Sequence, residues 1–196
     1  MRYFFILIIL VAAILSCSEE RPHTRPAAEQ KSDVELLRER IQKDPNDADA
    51  LFHLAELYDR AGLYQEEAET LQKVVTLKPE WGYAHFKLGT TYNRLGRYQN
   101  AVGSFQKATL HWSNQPMAYN NMGISYGKLG KINEEIAALR KAVSLRPGYA
   151  IAHFNLSMAY LKQGRRENAL NEYRAVKDLD EGLAATLKKE LDRKRK

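Results

Sequence analysis

One cysteine and five histidines are the side chains of this 196-residue chain best suited to nucleophilic or metal chemistry. A lone cysteine, Cys17, excludes an intramolecular disulfide and any cysteine-rich metal site. His85 and His153 stand far apart in the chain, on what reads as the packing face of two separate helices, and are too distant to share an ion. Core or interhelix hydrogen bonding is the expectation for both. His23, His53 and His111 follow no pattern. The chain contains no glycine-rich phosphate loop, no nucleophile elbow and no HExxH zinc helix. The expectation is therefore a protein without catalytic activity, metal or cofactor.

The position of Cys17 carries the remaining chemistry. It ends a segment in which Met1 and Arg2 precede the uncharged run Tyr3 to Leu15, followed by Ser16. As a helix this run rises only about 20 Å, short of the roughly 30 Å hydrocarbon core, so an export signal over residues 1–16 is favoured over a stable span. An ordinary signal peptide or an uncleaved anchor with a cysteine near its end would read the same way. The stretch Ile14-Leu15-Ser16-Cys17 resembles a bacterial lipobox, in which the signal is removed just before a cysteine that carries diacylglycerol. That resemblance implies a mature chain beginning at a lipidated Cys17. More than one acyl chain gives durable anchoring where one is marginal. Ser18, in place of an inner-membrane retention aspartate, implies the outer membrane facing the periplasm.

What must position any binding surface is the rest of the chain. Residues 17–31, with two prolines, several charges and no apolar periodicity, read as a tether of about 20 Å root-mean-square reach. Ser32-Asp33 can cap a helix over 32–44, with Val34, Leu37 and Ile41 on one face. Then a comb begins: Gly62, Gly96, Gly130 and Gly164, and Tyr58, Tyr92, Tyr126 and Tyr160, each recur at one constant interval without insertion. Constant spacing of this length with two helical segments per unit is the signature of a stacked array. Four units follow, at 48–81, 82–115, 116–149 and 150–183. Pro45, Pro79 and Pro147 punctuate their ends, and Ser113 stands at the missing proline position.

Within each unit the first helix carries a large residue, an apolar one, a small one and the tyrosine at spacings of three, one and three, which share one helical face. These are Leu51, Leu54, Ala55 and Tyr58 in the first unit and His85, Leu88, Gly89 and Tyr92 in the second. The third has Tyr119, Met122, Gly123 and Tyr126, and the fourth His153, Leu156, Ser157 and Tyr160. The second helices carry apolar residues such as Leu71, Phe105, Leu139 and Tyr173. On these residues, over 48–183, the chain resembles the tetratricopeptide repeat family. Departures are Glu67 and Glu135, which stand where Ala101 and Ala169 sit. The resemblance implies an all-α, right-handed solenoid of four helix-turn-helix repeats behind an N-terminal half-repeat helix. From Gly182 onward Leu183, Leu187 and Leu191 stand four apart, and residues 184–196 form a capping helix and a basic tail.

In this family the first helices line the inside of the superhelix, which implies a groove. By register its residues are Phe52 and Glu56; Tyr83, Phe86, Lys87 and Asn93; Asn120, Asn121 and Ile124; and Ile151, Phe154, Asn155 and Met158. Exposed apolar and aromatic side chains there would anchor a peptide or helix of another envelope protein. The lysine and asparagine clamp of eukaryotic chaperone-binding members is not reproduced, since Phe52 and Glu56 occupy its first positions. The first unit has seven acids against three bases and the second none against four, a polarity able to orient a partner. The net charge of +6 is too small and dispersed to argue for nucleic acid, and no small-molecule substrate is implied. Lipid anchor plus array resembles the small lipoproteins that act as pilotins or envelope-assembly adaptors. The alternative expectation is a self-assembling structural subunit with no groove ligand.

Overall fold

The computed structural model describes residues 32–193; Cys17, the apolar run before it and the tether lie outside them. Ten helices and no strand occur among the described residues. They are α1 (Asp33–Lys43), α2 (Ala48–Ala61), α3 (Tyr64–Leu77), α4 (Gly82–Arg94), α5 (Tyr98–His111), α6 (Pro116–Lys128), α7 (Ile132–Leu145), α8 (Ala150–Lys162), α9 (Arg166–Leu179) and α10 (Glu181–Arg193). None is long and apolar enough to cross a membrane.

The tyrosine and glycine combs turn out to be one device. Each glycine ends a first helix in the left-handed region, at φ between 71° and 78°, where a side chain would be strained. The amide after it then donates back to the tyrosine carbonyl, as in Leu63 to Tyr58 at 2.9 Å and Arg97 to Tyr92 at 2.8 Å. That is the closing bond of a Schellman motif. In the turn where Ser113 takes the place of the boundary proline, Asn114 adopts the left-handed conformation, the sole non-glycine to do so among the described residues. Asparagine is the side chain that tolerates it best. At the start of α1 the Ser32 hydroxyl accepts from the Glu35 amide at 3.3 Å, and the Glu35 carboxylate accepts from the Ser32 amide at 3.0 Å. This capping box satisfies two otherwise orphaned donors.

Helices pair as hairpins α2–α3, α4–α5, α6–α7 and α8–α9, and each hairpin stacks on the next. Close approach depends on the small residue of each first helix. A Cβ added at Gly89 would lie 2.7 Å from the Phe105 ring, and one at Gly123 2.7 Å from Leu139. Phe105, Leu71, Leu139 and Leu156 form the largest buried side chains of this spine, each stabilising by about 1.5–3 kcal/mol. Two of the comb tyrosines use their hydroxyls in exposed hydrogen bonds, Tyr92 donating to Gln72 at 3.3 Å and Tyr126 accepting from Gln106 at 3.2 Å, whereas Tyr160 is buried. The two register histidines are also structural, with Nε2 of His85 and of His153 each 2.8 Å from the carbonyl of Pro79 and Pro147. Burial, reinforced by the nearby Lys107 and His111, lowers the pKa of His85 despite that bond.

The two ends differ. Helix α10 packs on α9 and α8, burying Leu187 and Leu191. Arg166 reaches across to donate to the Leu191 carbonyl at 2.6 Å. Helix α1 contains no buried residue and leaves Leu36 51% exposed.

Candidate functional site

The candidate surface is the face formed by α2, α4, α6 and α8. Its first column is apolar. Tyr83, Met117 and Ile151 stand in the opening turns of α4, α6 and α8, 39%, 37% and 49% exposed. They are spaced by one full repeat, so stacking brings one from each unit into line. The equivalent residue of α2 is Asp49, which pairs with Lys78 at 2.8 Å.

Below Tyr83 lies an aromatic floor that no periodic reading reveals. Its ring is 5.2 Å from Trp112, 5.8 Å from Phe52 and 6.3 Å from Phe86. Trp81 in turn lies 4.6 Å from Phe52. These separations and tilts are those of favourable ring contacts. The cost to recognition is that Phe52, expected on the open face, is buried at 6% exposure. It is a core residue here, because Trp81 and Tyr83 close over it.

The middle of the face is an amide network. Asn155 donates to Asn120 at 2.9 Å, Asn120 donates to Asn121 at 3.2 Å, and the Ser125 hydroxyl donates to Asn93 at 2.8 Å. Asn120, also expected to face a ligand, is only 2% exposed and bridges two repeats instead. Asn93, Asn121, Ile124 and Asn155 are half-buried. In the fourth repeat Phe154 and Met158 pack, partly buried, on the cluster that contains Leu187 and Leu191 of α10. Ile151 is therefore the freest apolar side chain there. Glu56 is occupied by His53 at 3.3 Å.

Charge enters at the far end of the first helices. Lys87 pairs with Asp59 at 2.5 Å, and Arg94 reaches the other oxygen of the same carboxylate. Burial pushes the Asp59 carboxyl up, but hydrogen bonds from both cations outweigh it and hold the pKa below the ordinary value. Glu67 lies beneath this pair, 3.9 Å from Lys87 and 4.0 Å from Arg94. It is fully buried and neither oxygen has a hydrogen-bond partner. The nearby Thr91 hydroxyl donates to the Lys87 carbonyl instead. Burial, with the Asp59 charge behind it, raises the Glu67 pKa, and the proximity of Thr91 and the two cations only partly offsets this. In the third repeat Glu135 accepts from Lys162 at 2.9 Å.

Among the described residues no cluster of histidine, cysteine, aspartate or glutamate could hold a metal ion. Nor does the face align a nucleophile with a base. What it can do is present apolar, amide and cationic rows to another chain.

A tetratricopeptide repeat model matches residues 34–81 and 120–184, and a second such model matches residues 83–111. No curated protein matches the chain. Among solved structures, one of MamA is 26% identical and covers 78% of this chain and 89% of its own, with a TM-score of 0.73. MamA from Desulfovibrio magneticus RS-1 is 21% identical over 76% of this chain and 84% of that one, with a TM-score of 0.71. YrrB, described as a TPR protein with an unusual peptide-binding site, is 22% identical over 82% and 87%, at 0.67. At those identities the last two show the fold alone.

Proposed function

The chain belongs to the tetratricopeptide repeat family, and from that premise we propose that it is a membrane-anchored scaffold of the bacterial envelope. Its first-helix face acts as a groove for a segment of another envelope protein. The observation that carries the groove is the aligned, exposed column Tyr83, Met117 and Ile151. Three apolar side chains held in register by the fold, each left more than a third exposed among the described residues, are what a partner's apolar side chains require. The same fold is the one on which YrrB is described as having a peptide-binding site. The lipid anchor rests on Cys17 and the apolar run that precedes it.

The test is site-specific photocrosslinking in cells, with the crosslinker placed at Met117 or Ile151 and, as control, at Leu110, which is 74% exposed on a second helix. A single identified envelope protein captured at the first two positions and absent at the third is the expected result. Equal capture at all three positions sinks the groove reading. For the anchor, mass spectrometry should find diacylglycerol on Cys17, and Cys17→Ala should lose both the modification and membrane fractionation. An unmodified wild-type cysteine ends that part of the proposal.

Self-assembly through the ends has one observation in its favour, the exposed apolar surface of α1 among the described residues. There Leu36, Leu37, His53 and Leu57 line a hollow of about 310 Å³. A solution mass that rises with concentration, and falls with Leu36→Glu, would support that reading. Leu187 and Leu191 offer no such surface, being buried where α10 meets the last repeat.

A further inference from the structure

The charged edge of the groove distinguishes one residue from its equivalents. Arg94, Lys128 and Lys162 are the last residues of α4, α6 and α8, eleven residues beyond Tyr83, Met117 and Ile151. Eleven residues are three helical turns with about 20° to spare, so each cation shares the face of its apolar partner, about 16 Å along the axis. The face thus has an apolar rim and a cationic rim. Helices α4, α6 and α8 contain no aspartate or glutamate at all.

Two of the three cations are neutralised by the preceding repeat. Arg94 binds Asp59 and Lys162 binds Glu135. The residues that the second repeat places before Lys128, at the positions of Asp59 and Glu67, are Asn93 and Ala101. Asn93 accepts from Ser125 and Ala101 has no charge to give. Lys128 is exposed and has no ion pair or hydrogen bond among the described residues.

The geometry points to an acidic amphipathic helix as the groove's occupant, its apolar stripe on Tyr83, Met117 and Ile151 and a carboxylate on Lys128. This rests on the groove reading above and adds the partner's chemistry. An α-helix is about 10–12 Å across, so a helix plus the reach of a lysine fills the distance between rims. A single strand running across the three repeats to meet the whole apolar column, with neighbours only about 4.8 Å apart, covers one rim at a time.

The full chain in detergent micelles is titrated with three fluorescent synthetic helices that share one apolar stripe and carry glutamate, glutamine or lysine on the opposite stripe. The glutamate helix should bind about five- to tenfold more tightly than the glutamine helix, as expected for one partly exposed ion pair or slightly more. Lys128→Gln should erase that margin without changing affinity for the glutamine helix, and Lys128→Arg should keep it. Unchanged thermal melting of the exposed-site variants shows that folding is not at issue. Equal binding of the glutamate and glutamine helices, both lost in Ile151→Glu, overturns the acidic partner and leaves the groove standing. Preference for the lysine helix, or a glutamate margin that survives Lys128→Gln, also overturns it. If no helix binds, the acidic-helix occupant is rejected, and the crosslinking at Met117 and Ile151 decides separately whether the groove is used.

Discussion

Glu67 and Glu135 hold the same position in the first and third repeats, yet the protein solves the problem of burying them in two ways. Around Glu67 stand Asp59, Lys87 and Arg94; the equivalent residues around Glu135 are Gly127, Asn155 and Lys162. Counted with its glutamate, each set is electrically neutral, and they differ by one ion pair, Asp59 with Lys87 against Gly127 with Asn155. In the third repeat the missing side chain at Gly127 makes room. A Cβ there would lie 2.6 Å from the Glu135 carboxylate, which drops onto the glycine and meets Lys162. In the first repeat Asp59 takes both cations and leaves Glu67 beneath it, buried with neither oxygen hydrogen-bonded. A buried charge close to cations is not thereby stabilising. Desolvation costs several kcal/mol per ion, and it is repaid only where hydrogen bonds complete the pairing.

The largest effect should come from giving the third repeat the first repeat's acid. Gly127→Asp collides with Glu135 and adds a like charge to a buried site, and a loss of about 2–3 kcal/mol in denaturant unfolding is expected. Adding Asn155→Lys, which restores the first repeat's full set, should recover part of that loss. No recovery would mean that the backbone, not the charge set, separates the two sites. Next, Glu67→Ala, which installs the residue found at Ala101 and Ala169, should stabilise by about 1 kcal/mol, because it removes an unsatisfied buried carboxylate. Glu135→Ala should instead destabilise by a similar amount. The same sign for both variants would erase the distinction between the sites.

Lys162→Gln should cost about 1 kcal/mol or less, since its side chain is half exposed while Glu135 is left without its cation. The smallest effect is in pH dependence. Because the folded pKa of Glu67 is raised, the unfolded chain releases that proton first. The Glu67 contribution to stability therefore falls as pH rises above the ordinary glutamate range. Asp59 runs the other way: its folded pKa is lowered, so its contribution is present above the ordinary aspartate range and lost as pH falls through the folded value. Unfolding free energies of wild type and Glu67→Gln should thus diverge by about a few tenths of a kcal/mol or more between pH 4 and pH 7. Parallel curves would show that Glu67 is not strained.

The repeat architecture was legible because periodicity reports helix faces directly. Tyr58 with Gly62, and their three equivalents, had to serve one purpose, and the structure shows that purpose to be a hydrogen-bonded helix stop. Glu67 and Glu135 were legible as departures from a small residue. Their different solutions were not, since the compensating residues lie across the helix hairpin and in the next repeat. The packing of Trp81 and Trp112 was not legible for a related reason. Their spacing falls short of one full repeat and so runs out of phase with the comb, though they are the chain's two tryptophans and each falls in the turn just before a first helix. Phe52 and Asn120 belonged by register to the open face, and register was insufficient. Trp81 covers the one, and Asn155 and Asn121 hold the other.

By itself the sequence determined which face of which helix every residue occupies, because a constant period leaves the stacking no freedom to slip. It thereby determined the family, the helix stops, the spine and which residues, Tyr83 and Ile151 among them, share the first-helix face. Only the tertiary structure decided what stands opposite each face. It closed Phe52 and Asn120 away, set Glu67 unsatisfied and Glu135 paired, sealed Leu187 and Leu191 while leaving Leu36 open, and left Lys128 as the uncompensated cation of its row. The physical reason is that register is a local property of the helix, whereas burial and charge compensation depend on side chains supplied by a neighbouring repeat.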